Sequence, residues 1–209
     1  MVGTPYTRTF TANNDFAAIT ATQTVTPTLA SVRTINGSIA DGGAQQTIDI
    51  TVPAGLSSLV VTLGGASDPG ADLDIYVYDC TAGPSACVLR GSGTSSTANE
   101  TVTVTTALNA GAWKAVIDPF AVPAGTTTFT YSDAFSKPTA TAYGTLTTPA
   151  SSATPTARAS GASWTFDVTP TANQEAGTGR FLRGTASVRL GSTTGPVLGS
   201  AFVILETNP

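Results

Sequence analysis

Asp68, Asp72, Asp74 and Asp79 fall in one short run, Asp68-Pro-Gly-Ala-Asp72-Leu-Asp74-Ile-Tyr-Val-Tyr-Asp79, the densest grouping of side chains able to do chemistry in this sequence. If Leu73, Ile75 and Val77 point into a core, a pleated strand turns Asp72, Asp74, Tyr76 and Tyr78 onto the opposite face, and Asp68 reaches them from the Pro69-Gly70 turn. Carboxylates at i and i+2 on one strand face repel unless a cation or a donor lies between them. Hard oxygen donors beside turn carbonyls favour Ca²⁺ over a transition metal. Asp118, at the end of the alternating stretch Trp113–Ile117, adds a carboxylate from a neighbouring strand. Asp68, Asp72, Asp74 and Asp118 are therefore the expected calcium ligands. The alternative is that these acids only cap turns and accept backbone N–H bonds. The run is not an EF-hand loop, because its sixth position is Leu73 and a strand passes through it. Tyr76 and Tyr78 are the candidate ligand contacts, against the reading that they are ordinary cross-strand pairs under another layer.

What is missing narrows the chemistry further. With no histidine among 209 residues, no Ser-His-Asp or Cys-His relay and no histidine metal site can be built. Ser92 sits in Gly91-Ser92-Gly93, but the G-x-S-x-G nucleophile turn is not completed around it, and it reads as a hairpin tip. Asp72 and Asp74 are too close along one strand to flank a sugar bond as a glycosidase pair. No enzyme activity is expected. A net charge of −4 offers no basic stripe to displace phosphate counterions, which argues against nucleic acid. Apolar runs such as Leu59–Leu63 and Phe202–Leu205 fall far short of the roughly 20 residues that cross a bilayer, and no basic-then-apolar leader precedes Val2. The expectation is a soluble piece whose export signal, if it had one, has been removed.

Cys80 and Cys87 flank Thr-Ala-Gly-Pro-Ser-Ala, and Gly83-Pro84 lets the chain turn back so that the two Cβ atoms come into bridging range. Two lone cysteines make no four-ligand metal set, so a disulfide and an extracellular, oxidising setting are expected. Asn36-Gly37-Ser38 and Asn99-Glu100-Thr101 match the short N-glycosylation pattern and carry no functional weight.

The elements that must position these residues are strands. Thr (39) and Ser (18) abound while Glu (3) and Lys (2) are scarce, which disfavours long helices. Turn signals such as Asn36-Gly37, Pro53-Ala54-Gly55, Gly64-Gly65, Asn109-Ala110-Gly111 and Pro123-Ala124-Gly125 recur at a spacing typical of all-β sandwiches. Between them Ile48, Ile50 and Val52 alternate with Thr47, Asp49 and Thr51, and Leu59, Val61 and Leu63 repeat the pattern. The fold class expected is all-β: a jelly-roll-like sandwich over 34–137, then a smaller immunoglobulin-like β domain over 138–209, with the boundary near Phe135-Ser136-Lys137-Pro138. That second domain looks short of strands. The N-terminal segment 1–33, with strands near Tyr6–Ala12 and Ile19–Pro27 and a turn at Asn13-Asn14-Asp15, is read as completing it, which makes the central unit an insertion; the rival is a separate hairpin or a flexible lead-in.

The aspartate strand, followed by Gly111-Ala112-Trp113-Lys114-Ala115-Val116-Ile117-Asp118 and Val122-Pro123-Ala124-Gly125-Thr126-Thr127, resembles the bacterial pre-peptidase C-terminal domain found behind the catalytic domain of secreted actinobacterial subtilisin-like serine proteases. Gly179-Arg180-Phe181-Leu182-Arg183-Gly184 and Gly199-Ser200-Ala201-Phe202-Val203-Ile204 look similar to segments of the small β domain that follows it there. The likeness covers about residues 34–209. It implies a jelly-roll-like sandwich without catalysis of its own, joined to a protease catalytic domain in a parent chain. Such a module would bind or position substrate, matrix or cell surface and stabilise the enzyme, and some relatives use calcium. No protease domain is present in these residues, and the cysteine pair has no counterpart in the resemblance. The alternative is a structural subunit of an extracellular surface layer or filament, assembled through strand exchange.

Overall fold

The computed structural model describes residues 2–206. Strands dominate: β1 (Arg8–Asn13), β2 (Ile19–Val25), β3 (Ala30–Ala40), β4 (Gln46–Val52), β5 (Ser58–Gly64), β6 (Asp72–Asp79), β7 (Val88–Gly93), β8 (Glu100–Val104), β9 (Gly111–Ala121), β10 (Thr126–Ser136), β11 (Gly144–Thr147), β12 (Thr156–Arg158), β13 (Ser163–Ala172), β14 (Phe181–Leu190) and β15 (Val197–Leu205). Two short 3₁₀ turns, Thr139–Thr141 and Ala150–Ala153, are the helical elements among the described residues. This is an all-β sandwich fold, as the alternation and the turn spacing lead one to expect. The chain divides into two compact units: Val32–Pro138, and a second that runs through Ser31 and resumes at Thr139.

In the unit Val32–Pro138 the sheet order is β3-β10-β5-β8 in one layer and β4-β9-β6-β7 in the other. Each strand buries one side of its pleat. Leu59, Val61 and Leu63 of β5, Leu73, Ile75 and Val77 of β6, and Trp113, Ala115 and Ile117 of β9 are all buried, and their alternate neighbours are more exposed. At roughly 1.5 to 3 kcal/mol per fully buried large apolar side chain, these three strands supply much of the unit's cohesion. Trp113 donates its indole N–H to the Asn109 carbonyl at 2.8 Å, so its polar atom is satisfied inside the core. Asp133 is fully buried in β10 and accepts from Arg33 Nε at 2.8 Å and Nη2 at 2.6 Å, which ties β3 to β10.

In the other unit, β1 and β11 pair with the two ends of β13, and β2, β12, β14 and β15 form the facing sheet, with β2 and β15 both paired to β14. β1 and β2 thus belong to different sheets of one unit and do not form a hairpin of their own. The two sheets meet closely at Gly184, where an added Cβ would lie 2.7 Å from Leu146 Cδ2 and 2.9 Å from Leu29 Cδ2. Asn14 is almost wholly buried, with its Nδ2 within 3.0 Å of the Ala17 carbonyl and 2.9 Å of the Ala159 carbonyl, so this turn residue also fastens the segment leading into β13.

Ser92 departs from the hairpin-tip reading. Gly91-Ser92-Gly93 completes β7, with Ser92 directly paired to Tyr76. The glycines are there because β8 runs against this strand: a Cβ at Gly91 would meet Val102 Cγ1 at 2.6 Å, and one at Gly93 would meet the Glu100 side chain.

Candidate functional site

β6 is the strand that sorts the candidate residues. Its inward positions Leu73, Ile75 and Val77 have no exposed area, which leaves Asp72, Tyr76 and Tyr78 half-buried on the outward side; Asp74 on that same side is nearly covered, at 8 % exposure. The ladder to β9 then fixes the neighbours. Asp74 lies directly opposite Asp118, Tyr76 opposite Val116, and Tyr78 opposite Lys114. On the far side of β9, Lys114 is paired with Asp49 of β4.

Within this face each tyrosine is held by a charged group. The Tyr76 hydroxyl donates to Asp74 Oδ2 at 3.0 Å. That bond, then burial, then the charges of Asp74 and Asp118 raise the Tyr76 pKa above the ordinary phenol value, so the hydroxyl stays a donor. Lys114 Nζ stands 5.5 Å from the centre of the Tyr78 ring, a cation–π arrangement. Two flat rings, two residues apart on a strand fixed on both sides, therefore present polar rims and apolar faces to one surface. Phe120, 71 % exposed at the end of β9, continues the outward series Lys114, Val116 and Asp118; reading the sequence alone passed over it because Pro119 interrupts the alternation.

The acids divide by role. Asp68 is engaged by backbone: Oδ1 accepts from Gly70 N and Oδ2 from Ala124 N, each at 2.9 Å, so it caps the Pro69-Gly70 turn and binds the loop after β9 to it. Asp72 has a raised pKa because of burial, then the charges of Asp74 and of Glu100. Its Oδ1 is shielded and accepts no hydrogen bond. Glu100, a buried acid that the strand pattern alone did not flag, accepts from Ser95 N at 2.8 Å and from the Ser95 hydroxyl. Among the described residues no group of three or more His, Cys, Asp or Glu side chains is arranged to hold a metal ion.

Cys80 and Cys87 form a disulfide, with Cα atoms 4.1 Å apart. Beside it Asp79, 3 % exposed, accepts from Thr81 N at 3.0 Å and Thr81 Oγ1 at 2.6 Å, and from Arg90 Nη2 and Asn109 Nδ2 at 2.8 Å each. Burial alone pushes this carboxyl up, but these donors outweigh it and hold the pKa well below the usual carboxylate range. Asp79 is thus a fully satisfied anchor that ties the disulfide loop to β7 and to the turn before β9.

The other unit holds an apolar cleft of about 240 Å³, lined by Phe10, Phe16, Trp164, Phe166, Val188 and Leu198 among others. Phe10 and Phe166 are cross-strand partners whose rings stack at 5.8 Å. No single stretch of sequence announces this cleft, because its walls come from β1, the turn into β2, β13, β14 and β15.

No protein-family model matches this chain, and no curated protein matches it.

Proposed function

We propose that the chain is a non-catalytic recognition module of an extracellular subtilisin-like protease, and that the outer face of the β4-β9-β6-β7 sheet grips an extended extracellular polymer of the enzyme's substrate, matrix or cell wall. One observation carries the reading: Tyr76 and Tyr78 stand side by side on a rigid strand, each held by a charged neighbour and each with a ring partly open to solvent. Ordered aromatic rings lose little rotamer entropy on contact and stack on sugar rings or proline, while Asp49, Asp118 and Ser92 around them can exchange hydrogen bonds with hydroxyl and amide groups. The lack of histidine and the structural engagement of Asp68 and Asp79 favour binding over bond breaking. The link to a protease rests on the resemblance of the aspartate strand, the Gly-x-Trp strand and the Val-Pro-Ala-Gly turn.

Calcium is not required by this reading, since the donor that relieves Asp74 is the Tyr76 hydroxyl. The test is retention on insoluble collagen, chitin and peptidoglycan. Retention on at least one of them, above that of an unrelated β-sandwich, is expected; retention no better than that control on all three would contradict the proposal. The alternative of a structural subunit draws on a different feature, the open strand β15.

A further inference from the structure

Among the described residues β15 pairs with β14 alone, which leaves its other edge open. Over its nine residues, Val-Leu-Gly-Ser-Ala-Phe-Val-Ile-Leu, it carries no charge and no proline. Val203 is buried against the core, while Phe202 and Ile204 on the opposite face are 61 % and 51 % exposed. Sheets guard their open edges with charge, proline or bulges, because unpaired N–H and C=O groups are a template for another strand. Here the one irregularity is a bulge at Leu198, opposite Val188/Arg189, and the length from Gly199 to Leu205 has no guard. An uncharged, β-prone, exposed edge of this kind is suited to being covered by a strand.

We propose that β15 pairs antiparallel with β15 of a second copy of this chain, giving a two-fold dimer through one continuous sheet. The occupant is argued from the strand itself. With Ala201 on the two-fold axis the regular stretch beyond that bulge is self-complementary: Gly199 meets Val203 of the second copy and Ser200 meets Phe202. The bulky residues at the centre fall opposite small ones, so Phe202 lies over Ser200 and Val203 over Gly199 without a clash. On the β14 side the Arg183 guanidinium already covers the Phe202 ring at 4.6 Å, and the rest of that ring is open to solvent. This pairing is independent of polymer recognition by the other unit and would form without any polymer present.

Sedimentation velocity on the intact chain between about 10 μM and about 1 mM tests it. The expected result is a concentration-dependent dimer that Phe202→Lys converts to monomer at every concentration, while the thermal midpoint stays within a few degrees of the parent because Phe202 is exposed. Mild oxidation of Ala201→Cys should give a covalent dimer, since that residue sits opposite itself, whereas Val197→Cys should not cross-link to itself. A chain that stays monomeric throughout overturns the proposal, and so does a dimer that Phe202→Lys leaves intact. Equal cross-linking at 197 and 201 overturns the register and with it the self-complementarity on which the pairing rests.

Discussion

Asp74 and Asp118 face each other directly across the β6–β9 ladder, like charges at paired positions, and the Tyr76 hydroxyl is bonded to the buried member of the pair. This sheet face is thereby held together at the expense of local electrostatics. Opposed like charges on a sheet destabilise by a few tenths of a kcal/mol up to about 1 kcal/mol. On the proposed reading the aromatic rims and the carboxylates beside them serve a ligand, and the fold would be more stable without some of them.

Asp118→Asn should therefore raise stability at neutral pH, by about 0.5 kcal/mol in urea unfolding. Asp72→Asn should act in the same direction. Its carboxyl is raised in the folded state, so its contribution to stability is fully present below the unfolded pKa and is lost as pH rises through the folded pKa. The gain from Asp72→Asn should accordingly be seen at pH 7 and vanish in strongly acid solution. A loss of stability at pH 7 in either variant would show that these acids are held by a favourable partner.

Asp79 has the opposite sign. Its carboxyl is depressed in the folded state, so its stabilisation is complete above the unfolded carboxylate pKa and is lost as pH falls through and below that range. Asp79→Asn should cost about 2 kcal/mol at pH 7, because Arg90 and the Thr81 N–H lose an ionised acceptor. The cost should shrink as the solution is acidified below about pH 4. Thermal melts of the pair of proteins across pH 2 to 7 check both the size and the trend.

Calcium and chelator should leave the unfolding midpoint unchanged. Both Asp68 oxygens are taken by backbone donors, and Asp74 is engaged by Tyr76. A ligand that binds the folded state must raise the midpoint, so an upward shift with millimolar Ca²⁺ would show that the acids gather round an ion after all.

The disulfide closes a loop with a sequence separation of only 7. In the chain-entropy account such a loop contributes about 2 kcal/mol. Replacing both Cys80 and Cys87 by Ser should lower stability by about that amount and leave a folded, all-β spectrum. Loss of the fold would mean that the bridge, and not the Asp79 network, holds this end of the unit.

Much of the fold was legible in the residues. The alternation of Ile48, Ile50 and Val52, or of Trp113, Ala115 and Ile117, marks strands with one buried face, and the structure has them so. The disulfide was legible for the same local reason, a short loop with Gly83-Pro84 inside it. Features set by distant partners were not. Gly91-Ser92-Gly93 looks like a turn by composition and is a strand because Val102 and Glu100 leave no room for side chains. Asp68 caps its own turn through Gly70 N, a local bond the alternative reading of the acids allowed for, but its tie to Ala124 N, far along the chain, no local spacing reveals. Glu100 couples to Asp72 from another strand, which no spacing within either segment reveals.

The most direct measurement is a binding isotherm of the chain and of its Tyr76→Ala/Tyr78→Ala variant on whichever insoluble polymer retains the parent. Tyr76→Ala takes the donor from Asp74, so the variant should melt several degrees below the parent, and binding is measured well below its midpoint. If the two rings are the contact, affinity should fall at least tenfold, about 1.4 kcal/mol or more. An isotherm that superimposes on the parent's would contradict the assignment of this sheet face as the recognition surface.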